Sequence, residues 1–219
     1  MNLKTSRRSV PGPAGAIEVV LDFPAEASGS PRGLALVAHP HPLFGGTMEN
    51  KVVQTLARSF VQLGYVTARF NFRGVGATAG VHDEGMGETD DVLALLAYLK
   101  SEFPLSELVL AGFSFGSFVQ TRVAAQLAKD GNPAFRLVLV GTAVSRWQVA
   151  PVPPETLVIH GELDETVPLA AVLDWARPQE LPVVVIPGAD HFFHRRLTII
   201  KRLVLGAWLG TKAPADGQA

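Results

Sequence analysis

Residues 108–117 read LVLAGFSFGS, an apolar run that ends abruptly in a glycine-rich turn around a serine. The run is typical of a buried β-strand, and the turn at 112–116 has the pattern GxSxG. Small residues two positions before and after Ser114 permit a tight strand-to-helix turn that exposes its hydroxyl and points the next N–H at the reacting centre. The stretch therefore predicts a nucleophilic serine, although the same five letters also suit an ordinary turn.

Short apolar runs alternate with amphipathic helical patterns along the rest of the chain. The predicted strands lie at 16–23, 33–38, 65–72, 108–113, 135–140, 156–160 and 183–186. The predicted helices lie at 50–63, 91–100, 115–129 and 168–175, and a closing helix carries Leu197, Ile200, Val204 and Trp208 on one face. This alternation predicts an α/β fold, with a mostly parallel, doubly wound sheet covered by helices on both faces.

Neither a linker nor a repeat divides the chain. We therefore predict a single domain over residues 1–219, with loose tails at 1–9 and 211–219.

Composition excludes several classes of function. The 219 residues include 19 Lys and Arg against 20 Asp and Glu, so the net charge of −1 provides no field to recruit nucleic acid or an anionic membrane. The absence of cysteine excludes disulfides, a thiolate nucleophile and thiolate metal sites. No stretch approaches the roughly 18 apolar residues of a spanning helix, and Arg7-Arg8 has no apolar run behind it. We expect a soluble, cytoplasmic protein.

A parallel doubly wound sheet places its functional site at the carboxyl ends of the strands. The polar residues that directly follow predicted strands are His39, His41, Arg73, Ser114, Asp164, Asp190 and His191. Ser114, Asp164 and His191 then occur in the order nucleophile, acid and base. His191 would take the Ser114 proton and return it to the leaving group, while Asp164 would orient the imidazole and stabilise its cation.

With these motifs the chain resembles the α/β-hydrolases. HPHP follows the third strand of that fold, GFSFG the fifth, GELDETVP the seventh and GADH the eighth. HPHPLFGGTMENKV and NFRGVGAT are similar, more narrowly, to the small bacterial serine hydrolases that lack a cap domain. The resemblance implies the triad Ser114, Asp164 and His191.

The same resemblance implies an oxyanion hole made of two backbone N–H groups. The residue after the nucleophile, Phe115, supplies the first. Related enzymes take the second from the loop after the third strand, where Pro40 and Pro42 have no N–H to offer. His41 is the candidate, with Leu43 close behind.

Several neighbouring residues compete for these roles. Glu162 and Glu165 are alternatives to Asp164, with a solvated loop carboxylate as the ordinary interpretation of each. His160 and His194 are alternatives to His191; we expect His160 to be buried and hydrogen-bonded and His194 to lie on the surface. We expect His39 to be a structural histidine that ties loops together beneath the site.

Two other motifs resemble cofactor sites. His39 and His41 could present a metal-binding pair, but no third ligand follows within the next several residues, whereas zinc hydrolysis requires three. Residues 74–79 fit the dinucleotide fingerprint GxGxxA, yet a loop follows in place of the required helix. We therefore expect no metal and no cofactor, and we expect Arg73 to pair with Asp83 or Glu84.

The predicted loop at 141–155 is too short to build a helical lid, so the site should be open. Its borders should be Leu43, Phe44, Met86, Phe113, Phe115, Trp147 and Phe192, of which Phe113 could instead be core. A shallow apolar cleft suits small carboxylic esters with short acyl chains, cleaved through an acyl-enzyme on Ser114. A thioesterase or small peptidase with the same triad, and a non-catalytic ligand-binding protein, remain alternatives. The expected partner is a small-molecule ester, and the protein would be a monomer or a dimer.

Overall fold

An eight-stranded sheet forms the centre of the computed structural model, which describes residues 4–25, 30–103 and 106–209. The strands are β1 (Lys4–Gly12), β2 (Gly15–Phe23), β3 (Gly33–Ala38), β4 (Tyr65–Phe70), β5 (Glu107–Phe113), β6 (Arg136–Val140), β7 (Leu157–Gly161) and β8 (Val183–Ile186). Their order in the sheet is β1-β2-β4-β3-β5-β6-β7-β8. The pairings of β1 with β2 and of β2 with β4 are antiparallel, and all the others are parallel. The predicted α/β-hydrolase sheet is confirmed.

In the described part of the chain, five α-helices cover the sheet. They are α1 (Lys51–Gln62), α2 (Met86–Glu102), α3 (Phe115–Lys129), α4 (Leu169–Ala176) and α5 (Leu197–Ala207). Side chains of α1 and α5 pack against one face, and those of α2 and α3 pack against the other. None of the helices in the described ranges is long and apolar enough to cross a bilayer.

The central strands are apolar on both faces because helices lie above and below them. In β3, Leu34 and Leu36 belong to the core under α2 and α3, whereas Ala35 and Val37 belong to the core under α1 and α5. Alternate side chains of a strand point to opposite faces, so a continuous apolar run is what a doubly covered strand requires.

The N-terminus differs from the prediction. Residues 4–9 are not loose, because Lys4–Gly12 pairs along its whole length with β2. The strand escaped prediction because it lies at the sheet edge and, apart from Val10, its side chains are not buried. Backbone pairing holds it, together with the hydrogen bond that Thr5 Oγ1 donates to Asp22 (2.9 Å). The other predicted tail, 211–219, lies outside the described residues.

The connection between β6 and β7 carries no cap. Residues 141–156 form turns without a helix, so the carboxyl edge of the sheet has no lid over it from this segment. The second helix, α2, begins at Met86 and not at residue 91 as predicted. The first turn is fixed by Glu88, whose carboxylate accepts from the backbone N–H of Asp83 and Gly85 (both 2.9 Å).

Candidate active site

Three loops at the carboxyl edge of the sheet bring Ser114, Asp164 and His191 together. Ser114 follows β5 directly, Asp164 follows β7, and His191 follows β8. The N–H of Leu163 donates to the carbonyl of Ala189 (2.9 Å), which ties the Asp164 loop to the His191 loop. Parallel strands end at the same edge, so residues far apart in the sequence become neighbours.

Ser114 occupies a strained turn between β5 and α3. Its backbone has φ 54° and ψ −119°, a conformation that residues other than glycine rarely adopt. A Cβ on Gly112 would lie 2.4 Å from the carbonyl carbon of Gly116. A Cβ on Gly116 would lie 2.5 Å from the carbonyl oxygens of Ala38 and His39. Only glycine at both positions lets β5, α3 and the end of β3 approach this closely.

A chain of hydrogen bonds joins the three side chains. His191 Nδ1 lies 2.7 Å from Asp164 Oδ2, and its Nε2 lies 3.0 Å from Ser114 Oγ. The other carboxylate oxygen of Asp164 accepts from the N–H of Thr166 (2.9 Å) and of Val167 (2.7 Å). A carboxylate held in this way requires the proton of the neutral imidazole on Nδ1, which leaves Nε2 free to accept from the serine hydroxyl. All three residues are buried, with 8% or less of each exposed.

Of the competing carboxylates and histidines, His160 lies beside the triad, with its Nε2 3.5 Å from Asp164 Oδ2, and the other three lie elsewhere. Glu162 accepts from the N–H of Gly188 (2.8 Å) and Glu165 is exposed. His160 is fully buried and its Nε2 donates to the carbonyl of Val167 (2.9 Å), as expected; burial lowers its pKa. His194 is exposed and pairs with Asp190 (2.6 Å), also as expected.

The two candidate oxyanion donors of the loop after β3, the N–H groups of His41 and Leu43, differ in whether they are already hydrogen-bonded within the loop. The N–H of Leu43 donates to the side chain of His41 (Nδ1, 3.2 Å), so it is already used within the loop. This leaves the N–H of His41 as the stronger candidate. Phe115 is the first residue of α3, and a first helical residue has no carbonyl four positions earlier within the helix to accept its N–H.

His39 ties two loops together beneath the site. The N–H of Phe72 donates to its Nε2 (2.9 Å), so Nδ1 carries the proton that is donated to the carbonyl of Pro40 (2.6 Å). Burial lowers the pKa of His39 to about 4. Both ring nitrogens are therefore occupied. Within the described ranges, no group of three or more His, Asp or Glu side chains is arranged to hold a metal ion.

The expected ion pair of Arg73 with Asp83 is present but long, and the main partner of Arg73 is Asp91, which the sequence did not predict. Its guanidinium forms two hydrogen bonds to Asp91 of α2 (2.7 and 2.8 Å), while Asp83 lies at 3.9 Å and Glu84 faces elsewhere. The helix was predicted to begin at 91, but its earlier start places Gly87 over the guanidinium, where any side chain would clash.

One flank of Ser114 is filled by rings that pack against one another. We call this group the aromatic wall; it consists of His41, Phe44, His82, Phe115, Phe118 and Trp147. The His41 ring centroid lies 4.6 Å from that of Phe44 and 5.1 Å from that of Phe115. Trp147 lies parallel to Phe118 (5.5 Å, 15°), and its Nε1 donates to Glu84 (3.2 Å).

Burial, followed by the nearby His82 and Arg146, lowers the pKa of His41, so this histidine is neutral near pH 7. Sequence reasoning missed His82, which lies in the glycine-rich loop. Its Nδ1 is bonded to the buried carboxylate of Glu88 (2.7 Å).

Of the seven predicted border residues, Trp147 is partly buried in the aromatic wall, and the other six divide into two groups. Leu43, Phe44, Met86 and Phe192 are exposed, as a substrate cleft requires. Phe113 and Phe115 are fully buried, so their side chains support the site from below and do not border it. Met86 contacts Arg122, whose Nη2 lies 2.9 Å from its sulfur.

The second flank is open. Phe192 is 52% exposed, with its ring 5.3 Å from that of His191 and 6.3 Å from that of Phe113. Beyond Phe192 lies a cavity of about 620 Å³ between the first turn of α1 and residues 192–197, which we call the α1 cavity.

Comparison with known proteins identifies the family. Residues 29–183 match the model of the family described as serine aminopeptidase, S33. The chain belongs to this family. This α/β-hydrolase is 34% identical over 197 residues to the protein RP471 of Rickettsia prowazekii, covering 83% of this chain and 79% of that protein.

Two solved structures are similar over nearly their whole length. An α/β serine hydrolase without lid from Xanthomonas campestris has a TM-score of 0.88 and 35% identity, covering 97% of this chain and 99% of that one. An α/β serine hydrolase homologue from Coxiella burnetii has a TM-score of 0.83 and 36% identity, covering 92% and 96%. The predicted resemblance to small serine hydrolases is confirmed, and the chain is a serine hydrolase of the α/β-hydrolase fold.

Proposed function

We propose that this hydrolase cleaves small carboxylic esters with short acyl chains through an acyl-enzyme on Ser114. The observation that carries the proposal is the continuous chain of hydrogen bonds from Asp164 through His191 to the hydroxyl of Ser114, at 2.7 and 3.0 Å. A serine hydroxyl becomes a nucleophile at neutral pH only beside a base of this kind.

The reaction follows from the tautomer of His191. Ser114 Oγ attacks the ester carbonyl while its proton moves to His191 Nε2, and Asp164 stabilises the imidazolium that forms. The N–H groups of Phe115 and His41 donate to the oxyanion of the tetrahedral intermediate. Collapse of this intermediate breaks the bond to the alkoxide, which leaves with the proton of His191. Water then repeats the sequence and releases the acid from Ser114.

The open site favours short acyl chains. Residues 141–156 contribute no lid helix, and Leu43 and Phe44 extend into solvent. A long acyl chain would therefore leave much of its apolar surface in water, and would gain little binding energy per added methylene.

The name of the family suggests cleavage of peptides as a second candidate function. An aminopeptidase has to hold the ammonium of its substrate, for which carboxylates are the usual partners. The nearby Glu84 accepts from Trp147 and Asp190 accepts from His194. Both carboxylates keep their negative charge in these hydrogen bonds, so cleavage of a peptide with a free N-terminus is the alternative to be tested beside the ester.

The proposal is tested by replacing the nucleophile. With para-nitrophenyl acetate as substrate, Ser114→Ala should lower kcat by about 10⁴-fold or more, and should abolish labelling by a fluorophosphonate probe. Ser145→Ala, in an exposed turn, is the control and should retain both properties. An unlabelled wild-type protein without esterase activity would favour a non-catalytic ligand-binding role.

Chain-length dependence tests the substrate class. On a series of para-nitrophenyl esters from acetate to decanoate, kcat/KM should be highest for the short chains. A steady rise beyond the medium chains would contradict the open-cleft argument.

A further inference from the structure

The α1 cavity has the size of a small-molecule site. Its volume of about 620 Å³ lies within the range of roughly 300–1,000 Å³ that is common for ligand pockets. It adjoins the triad through Phe192, which follows His191 in the sequence and contacts its ring. Phe192 therefore lies between the triad and the cavity.

The floor of the cavity is apolar and its rim is cationic. Val52 and Phe193, which line the floor, are almost fully buried, and Leu197 is partly buried beside them. Lys51 and Arg195 also line the cavity, and both are exposed. A ligand that fits this lining has an apolar body and a negatively charged end.

The two cations have no acidic partner among the described residues. Some other arginines are paired with acids, as Arg73 is with Asp91 and Arg69 with Asp22. Within the ranges that the structure describes, neither Lys51 nor Arg195 forms an ion pair or a hydrogen bond through its side chain.

The neighbouring acids do not neutralise these charges. Glu49 pairs with Arg7 and Arg69, and Asp190 accepts from both the backbone and the side chain of His194. The rim therefore presents two positive charges to a ligand in a molecule whose net charge is −1.

We propose that the α1 cavity binds the alcohol half of the substrate, and that this half is an apolar group carrying a carboxylate. The assignment rests on the proposed esterase function. The leaving alkoxide must lie next to His191, which supplies its proton, and the residues that follow His191 line the cavity. The preferred substrates are then anionic esters, with the carboxylate near Lys51 and Arg195 and the apolar group over Val52 and Phe193.

The experiment compares two double variants on matched substrates. K51M/R195M removes the cations of the cavity, and K100M/K129M removes two exposed cations on α2 and α3, so both lose the same charge. Each is assayed with para-acetoxybenzoate, whose alcohol half carries a carboxylate, and with the neutral para-acetoxybenzamide. Because each rate is divided by the wild-type rate on the same substrate, differences in intrinsic reactivity cancel.

K51M/R195M should lower kcat/KM for para-acetoxybenzoate by about 5- to 30-fold, mainly through KM, since an exposed ion pair contributes at most about a factor of five. It should leave the rate on para-acetoxybenzamide unchanged, and K100M/K129M should leave both rates unchanged. The effect should shrink at 1 M salt, where charges are screened within about 3 Å.

Three outcomes would overturn the assignment. K51M/R195M could affect both substrates equally, or neither. Alternatively, its effect could be confined to an ester with the carboxylate on the acyl half, such as para-nitrophenyl hydrogen glutarate compared with the neutral valerate. In each case hydrolysis of the neutral esters by the wild type would leave the esterase proposal intact, whereas wild-type protein inactive on every ester would remove that proposal instead.

Discussion

The aromatic wall and the α1 cavity lie on opposite flanks of the same serine. They differ in whether their side chains pack against one another or face open volume. In the wall, rings contact rings, and Trp147 Nε1 and His82 Nδ1 have protein partners, whereas the buried Nε2 atoms of His41 and His82 form no hydrogen bond within the described residues. In the cavity, apolar side chains face open volume, and Lys51 and Arg195 form no ion pair within the described residues. The wall therefore stabilises the fold around the candidate oxyanion loop, while the cavity keeps its interactions available for a ligand.

The largest expected effect acts on both flanks together. Asp164→Asn should retain the fold, because the amide oxygen still accepts from the N–H groups of Thr166 and Val167. The amide nitrogen, however, would donate to His191 Nδ1 and impose the wrong tautomer, so kcat should fall by about 10⁴-fold. Steady-state kinetics on neutral and anionic esters checks this, with Glu162→Gln as the control. A loss confined to one class of ester would mean that the flanks do not share this triad.

The second effect concerns stability beneath the wall. Burial lowers the pKa of His39 to about 4, whereas the unfolded chain titrates near 6.5. Between these pH values the unfolded state binds more protons than the folded state. The free energy of unfolding is therefore highest above pH 6.5 and decreases as the pH falls towards 4. The difference corresponds to about 3 kcal/mol.

Urea denaturation at several pH values checks the His39 prediction against His39→Asn, which cannot titrate. Wild-type protein should lose about 3 kcal/mol more than the variant between pH 7 and pH 4. Parallel profiles would show that His39 does not determine the acid sensitivity.

A smaller loss of stability is expected when the packing within the aromatic wall is disrupted. Trp147→Ala removes the stack on Phe118 and the hydrogen bond to Glu84, and should cost about 1–3 kcal/mol of unfolding free energy because the side chain is only partly buried. Trp147→Phe keeps an aromatic ring and should cost less. Equal losses would assign the stabilisation to the hydrogen bond and not to the ring.

The smallest change in stability is expected on the open flank. Phe192→Ala should alter the free energy of unfolding by no more than about 0.5 kcal/mol, because about half of this side chain is already in water. KM for aryl esters should nevertheless rise several-fold as apolar contact is lost. If Phe192→Ala destabilised the protein as much as Trp147→Ala, the contrast between the flanks would be invalid.

Much of the fold could be predicted because the central strands are apolar on both faces and are therefore easily recognised in the sequence. β3 and β5 are buried on both faces, so their sequences are continuously apolar, and the order of residues at their carboxyl ends then brings Ser114, Asp164 and His191 to one edge. The polar edge strand β1 had no such signal. A strand held by its backbone ladder places little constraint on its side chains.

The details missed at the site lie in or beside the glycine-rich loop that precedes α2. His82 and the start of α2 lie in a glycine-rich loop without hydrophobic periodicity, and the pairing of Arg73 with Asp91 follows only from where that helix begins. A signal was present in Glu88, which stands three residues after Gly85 as in a capping box. The roles of the triad, the cytoplasmic location and the oligomeric state stay predictions.

The glycines around Ser114 make the position of the nucleophile independent of the residues that contact the substrate. Gly112 and Gly116 hold the nucleophile through backbone contacts beneath it, and neither contact involves the wall or the cavity. Random mutagenesis confined to the rim of the cavity should therefore yield libraries in which most members keep the nucleophile in place. Such a scaffold can acquire new substrates in small steps without first losing its chemistry.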